Sequence, residues 1–141
     1  MTLHEILRSK GHEVFSISPE RTLQDVVDLL VDRNCGSLLV CDGDRMVGII
    51  TERDILRACA ELDEPLSSIP VEVRMTRNVI TCSPDADVDT VTGLMTEHRV
   101  RHMPLLQDGR LVGLISIGDV VKAQHDHLCL ENHYLKSYIQ S

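Results

Sequence analysis

Hydrophobic positions along the chain change their period in a fixed order, and that order occurs twice. Val14, Phe15 and Ile17 make a short apolar strand, Val14–Ile17, that ends at Ser18-Pro19. From Leu23 the spacing becomes helical. Leu23, Val26, Val27, Leu30 and Val31 fall at i, i+3, i+4, i+7 and i+8, which predicts one buried helix face. Thr22 precedes that helix as an N-cap, with Asp25 as its capping-box partner. Next come Leu38-Leu39-Val40, the turn Asp42-Gly43-Asp44 and Met46-Val47-Gly48-Ile49-Ile50. Together they predict a β-hairpin, because Asp-Gly supplies the positive φ that tight hairpin turns require. A second helix is expected to start at Thr51.

Val14 to Ala58 aligns with Val79 to Ala123 at one constant offset and without gaps. Ser18, Pro19, Val26, Leu29, Gly48, Ile50, Asp54 and Ala58 recur as Ser83, Pro84, Val91, Leu94, Gly113, Ile115, Asp119 and Ala123. The second copy predicts a first strand over Val79–Cys82, hairpin strands at Met103–Leu106 and Leu111–Ile115 around Asp108-Gly109, and a helix from Ser116. The chain is a tandem duplication of a β-α-β-β-α unit. One such unit, about 60 residues with its flanks, buries little surface alone and needs a neighbour to close its core. The expected division is 1–70 for the first repeat with the N-terminal segment and connector, 71–124 for the second, and 125–141 for a helical tail. Segment 1–13 is expected to hold a short helix around Ile6 and Leu7 that packs on the pair. Residues 60–78, with Pro65 and Pro70, form the connector. From Val120 to Ser141 the pattern predicts an extended helix, with Val121, Leu128 and Leu135 seven residues apart and Ile139 continuing that side. Such a stripe either packs back on the module or pairs with a second copy.

Composition narrows the function. Of 141 residues, 43% are apolar and 26% charged, as in an ordinary soluble domain. No apolar run approaches the ~20 residues that cross a bilayer, and no basic stretch precedes an apolar core at the N-terminus, so a cytoplasmic protein without a membrane partner is expected. A net charge of −8 argues against phosphate-backbone binding, and an aromatic content of 2% against a base-stacking platform. No nucleic-acid partner is expected. The five cysteines form no C-x-x-C pair and read as reduced thiols. His98 and His102 are spaced i, i+4, yet no third ligand stands at suitable spacing, so no metal site is expected. Phosphate-binding loops, dinucleotide fingerprints and a nucleophile–base set are all missing, which argues against an enzyme.

One motif carries chemistry in both copies: Gly48-Ile49-Ile50-Thr51-Glu52-Arg53-Asp54 and Gly113-Leu114-Ile115-Ser116-Ile117-Gly118-Asp119. A strand ends and a helix begins at the hydroxyl residue, where unpaired N–H groups and the helix dipole favour an anion such as phosphate. The Asp one turn later accepts two hydrogen bonds, as the vicinal hydroxyls of a ribose would supply. The same Ser/Thr-x-x-Asp spacing is also a capping box, which Thr22 to Asp25 uses for structure alone.

The doubled unit closed by this motif resembles a CBS-domain pair, or Bateman module. Arg99-Val100-Arg101-His102-Met103-Pro104-Leu105 is similar to the basic-then-Pro second strand of that family, and Val73-Arg74-Met75-Thr76 resembles the Val-x-Met-Thr that introduces a second copy. The resemblance implies an α+β fold of two repeats packed as a pseudo-two-fold pair, plus the C-terminal helix. It also implies a stand-alone regulatory module rather than an enzyme. Such a module binds adenosine nucleotides or adenosyl ligands (AMP, ADP, ATP, NAD or S-adenosylmethionine) in inter-repeat clefts and signals to a separate partner protein. No cofactor would be required, and a homodimer is expected. Carried over, Asp54 and Asp119 would hold ribose hydroxyls, with Thr51 and Ser116 near phosphate. Phe15, Ser16, Ile80, Thr81, Met103 and Pro104 would wall the base, while Arg101, His102, Arg53 and Lys10 would face phosphate. Copy one has Gly36-Ser37 where copy two has Arg101-His102, so the cleft of Ser116 and Asp119 is the favoured one. The alternative is a ligand-independent dimerisation module with degenerate clefts.

Overall fold

Residues 1–140 are described by a computed structural model. Their elements are α1 (Leu3–Lys10), β1 (Ser16–Ile17), α2 (Leu23–Arg33), β2 (Ser37–Asp42), β3 (Arg45–Thr51), α3 (Glu52–Glu61), a 3-10 turn (Leu66–Ser68), α4 (Val71–Arg74), α5 (Val88–His98), β4 (His102–Gln107), β5 (Arg110–Ser116) and α6 (Ile117–Gln140). The protein is α+β and contains the two expected repeats and the C-terminal helix. Ser141, the last residue of the expected tail, lies outside the described residues. Packing divides the chain into Val14–Val79 and a second unit made of Met1–Glu13 with the chain from Ile80 onward. The packed units begin at Val14 and Ile80, within one residue of where the two copies begin, and Met1–Glu13 belongs with the second.

In the first unit β1 runs parallel to β2, and β2 pairs antiparallel with β3. Leu23, Val26 and Leu30 of α2 are buried with Leu38, Val40 and Ile50 of the hairpin. Val27 is only partly buried and Val31 is exposed, so the buried face is narrower than the spacing predicts. At 100° per residue, Val31 stands 80° round from Leu23, on the flank of the stripe. Gly43 turns the hairpin with φ 62°. The second unit repeats the hairpin as β4 and β5, with Asp108 and Gly109 both at positive φ. Its expected first strand, Val79–Cys82, is reduced to a single parallel bridge between Cys82 and Leu105.

Each repeat is closed by a segment that precedes the other repeat in sequence. In the first unit the Val71 amide donates to Arg21 O at 2.8 Å and the Leu23 amide to Ile69 O at 2.9 Å. In the second, the Leu3 amide donates to Ala86 O and the Val88 amide to Met1 O, both at 3.0 Å. Met75 then lies over Gly48, and Leu7 lies over Gly113. The motif glycines are small because these side chains occupy the place of a β-carbon. Thus α1 packs on the second repeat, with Leu3, Ile6 and Leu7 in the same core as Val91, Met103 and Ile115.

Candidate functional site

In the second unit the motif sits where β5 hands over to α6. The Ser116 amide donates to Asp119 Oδ2 at 2.8 Å, and the Asp119 amide donates to Ser116 Oγ at 3.1 Å. These reciprocal bonds make a capping box. The Ile117 amide donates to Arg101 O at 2.8 Å. Two of the first helical amides are therefore already engaged, which leaves that of Gly118 as the first-turn donor for an external anion.

Lys10 reaches this junction from the last turn of α1. Its Nζ donates to Asp119 Oδ2 and to Leu114 O, each at 2.6 Å. Burial alone would raise the Asp119 carboxyl. The Lys10 ammonium and the Ser116 hydrogen bonds outweigh it and hold the group below the usual carboxylate range. Asp119 Oδ2 is thus occupied, while its second oxygen is left to accept. A groove of about 390 Å³ opens beside the pair, lined among others by Glu5, Ser9, Lys122, Asp126 and His127. Sequence reasoning missed Lys122 and Asp126, although their i+3 and i+7 spacing from Asp119 places all three on one face of α6.

The other expected residues of this unit gather around the same strands. His102 stands opposite Ser116 across β4 and β5. Ile80 and Thr81 are half-buried on the approach to Cys82, whose amide donates to Pro104 O at 3.2 Å. Arg101 is exposed, Pro104 is buried, and Met103 is fully enclosed in the core.

The first unit carries the equivalent junction without a lysine. The Thr51 amide and hydroxyl donate to Asp54 Oδ2 at 2.9 and 3.2 Å, and the Asp54 amide donates to Thr51 Oγ1 at 3.4 Å. The Glu52 amide donates to Gly36 O at 3.1 Å, matching the bond from Ile117. Arg53 is exposed. Phe15 is half-buried, with the Arg33 guanidinium 5.1 Å from its ring centroid. Ser16 lines a groove of about 640 Å³ with Arg21, Asp25, Asp28 and Asp32, whose carboxylates disfavour an anion there. Cys41 and Cys82 have thiols pushed up by burial, so they stay protonated and unreactive. Among the described residues no helix is long and apolar enough to cross a membrane, and no cluster of three His, Cys, Asp or Glu side chains could hold a metal.

The CBS domain family model matches residues 4–61 and again 67–126, and the chain belongs to that family. It is 34% identical over 149 residues to the mitochondrial CBS domain-containing protein CBSX3 of Arabidopsis thaliana, covering 99% of this chain and 72% of that one. Among solved structures it is similar to the CBS-domain containing protein ATU1752 from Agrobacterium tumefaciens, with a TM-score of 0.85, 35% identity and coverage of 88% and 99% of the two chains. It is also similar to the CBS domain pair of protein MJ0100, solved in complex with 5'-methylthioadenosine and S-adenosyl-L-methionine. There the TM-score is 0.76 and the identity 27%, with 87% and 98% of the two chains covered. Like its family, the chain is a regulatory CBS pair.

Proposed function

We propose that this protein is a cytoplasmic, non-catalytic sensor that binds an adenosine nucleotide or adenosyl ligand and passes its occupancy to a partner protein. The observation that carries this reading is the Ser116, Asp119 and Lys10 cluster, an acceptor and a cation held side by side at a helix start. The open oxygen of Asp119 would take ribose hydroxyls. The Lys10 ammonium would turn from Asp119 toward a phosphate or carboxylate on the ligand, next to the Gly118 amide. The adenosyl compounds bound by the MJ0100 pair support that ligand class. Five free thiols fit a reducing compartment. Homodimerisation completes the reading.

Thermal shift with AMP, ADP, ATP, NAD and S-adenosylmethionine tests it. A ligand at 100 times its dissociation constant stabilises by about 2.7 kcal/mol. Asp119→Ala should abolish most of that shift and leave the fold intact. If no compound moves the midpoint, the second reading replaces this one: a ligand-independent dimerisation module, which the exposed apolar side of α6 favours.

A further inference from the structure

The outer face of α6 carries a seam whose phase the seven-residue spacing alone does not reveal. Helical projection at 100° per residue places Val121, His125, Leu128, Asn132, Leu135 and Ile139 within 40° of one line. The steps along it are four, three, four, three and four residues, the alternation of a coiled-coil core. In that phase Val121, Leu128 and Leu135 occupy d positions, and His125, Asn132 and Ile139 occupy a positions. The opposite face is the one that packs on the unit, through Val120, which is buried, and Ala123, which is half-buried. The seam points away from it: its four aliphatic side chains are 56% to 79% exposed.

We infer that α6 pairs in parallel with α6 of a second copy of this chain, forming a short two-stranded coiled coil in register at Asn132. Charge decides the partner and its direction. In this phase Glu131 is at g and Lys136 at e of the next heptad, so a parallel pair sets Glu131 against Lys136 of the second copy, twice by symmetry. An antiparallel pair would instead bring e against e, facing Lys122 with Lys136 of the other copy. Asn132 points the same way. Parallel pairing places the two amides opposite each other, where they hydrogen-bond, whereas antiparallel pairing buries each against an aliphatic d residue.

The area is sufficient. Val121, Leu128, Leu135, Tyr138 and Ile139 with the stems of the flanking lysines offer on the order of 800 Å² per chain, what each partner gives to a standard-sized interface. Short isolated coils are marginal because the helix must first nucleate. Here α6 is a preformed helix of 24 residues whose first turns are anchored in the core by Val120, so that cost is already met. Leu at d favours two strands over three or four. This inference gives the homodimer of the proposed function its surface and does not depend on the ligand.

Sedimentation equilibrium of the full chain without ligand, over a concentration series, tests it. The expected result is a dimer mass for the wild type and a monomer mass for the double variant Leu128→Asp/Leu135→Asp, with unchanged circular dichroism. Lys136→Glu should weaken association by about tenfold, and adding Glu131→Lys should restore it. In a Cys59→Ser/Cys129→Ser background, Asn132→Cys should oxidise to a covalent dimer, as only parallel in-register helices allow. A dimer that survives the double Asp variant overturns the coil and leaves the homodimer standing. A wild type that stays monomeric at every concentration overturns both. Rescue failing while the cysteine does not cross-link overturns the parallel register.

Discussion

The Lys10 ammonium lies 2.6 Å from Asp119 Oδ2, joining the N-terminal helix to the motif of the second repeat across 109 residues of sequence. The pair has two consequences for a ligand. It holds Asp119 ionised and aimed, and it keeps a cation at the place where a phosphate would arrive. Lys10→Met should therefore separate ligands by charge. Affinity for AMP or ATP is expected to fall by about tenfold, while adenosine, which offers only its ribose and base, should bind as well or better. Isothermal titration of the two ligand types against wild type and variant reads this directly. Equal losses for adenosine and AMP would mean that Lys10 acts only by positioning Asp119.

The same pair predicts a stability term confined to one side of the acid range. With a folded pKa below its unfolded value, Asp119 contributes stability above about pH 4, and loses it as pH falls through the folded pKa. At neutral pH, Lys10→Met should lower unfolding free energy by about 1 kcal/mol, since both partners are only partly exposed. In acid, below the folded pKa, the carboxyl is protonated in both proteins and the gap should narrow to what the Lys10 bond to Leu114 O contributes. Urea unfolding at the two pH values measures the difference. A gap that does not narrow in acid would assign the whole loss to the Leu114 bond and the packing of the lysine stem rather than to the ion pair.

The motif glycines differ in how much their neighbours can yield. A β-carbon at Gly48 would lie 2.8 Å from both Met75 Sδ and the Thr76 carbonyl oxygen, and that carbonyl is backbone tied into the β3 bridge. At Gly113 the contact is 2.5 Å to Leu7 Cδ2, the end of a side chain that can rotate away. Gly48→Ala should cost about 3 kcal/mol and Gly113→Ala nearer 1 kcal/mol, within the usual range for overpacking. Chemical denaturation of both variants checks the order. The reverse order would mean that Leu7 has no alternative rotamer in its core.

Much of this was legible in the chain. The repeat, both hairpins, helices α1, α2, α3, α5 and α6 and the Thr22 capping box follow from period, turn chemistry and caps, whereas α4 and the 3-10 turn fall in the segment that reads as a connector. The Ser116 to Asp119 junction was legible for the same reason. What stayed hidden was the exchange of closing segments: nothing in the pattern of Leu3, Ile6 and Leu7 says which repeat they cover, because both present an equivalent surface. Lys10 was expected to face a phosphate, and its pairing with Asp119 depends on that same long-range choice. The engagement of the Ile117 amide by Arg101 O was hidden too, since backbone carbonyls leave no mark in the residue alphabet.

Capping and ligand binding use the same residue types, and the two roles can be told apart by comparing boxes. At Thr22 the box is complete, with the Asp25 amide donating to Thr22 Oγ1 at 3.2 Å and the Thr22 amide to Asp25 Oδ2 at 3.0 Å. Thr22→Ala should lower the melting temperature by about 4 °C, as for other lost N-caps, and leave the nucleotide-induced shift untouched. Ser116→Ala removes the corresponding cap from α6 and should cost a similar amount. It should also shrink the nucleotide-induced shift, because the helix start loses the hydroxyl expected near phosphate and the Asp119 amide loses its acceptor. Thermal melts of both variants with and without the best ligand supply the four numbers needed. An unchanged shift in Ser116→Ala would reduce the second box to the structural role of the first, and would move the ligand's contacts away from this helix start.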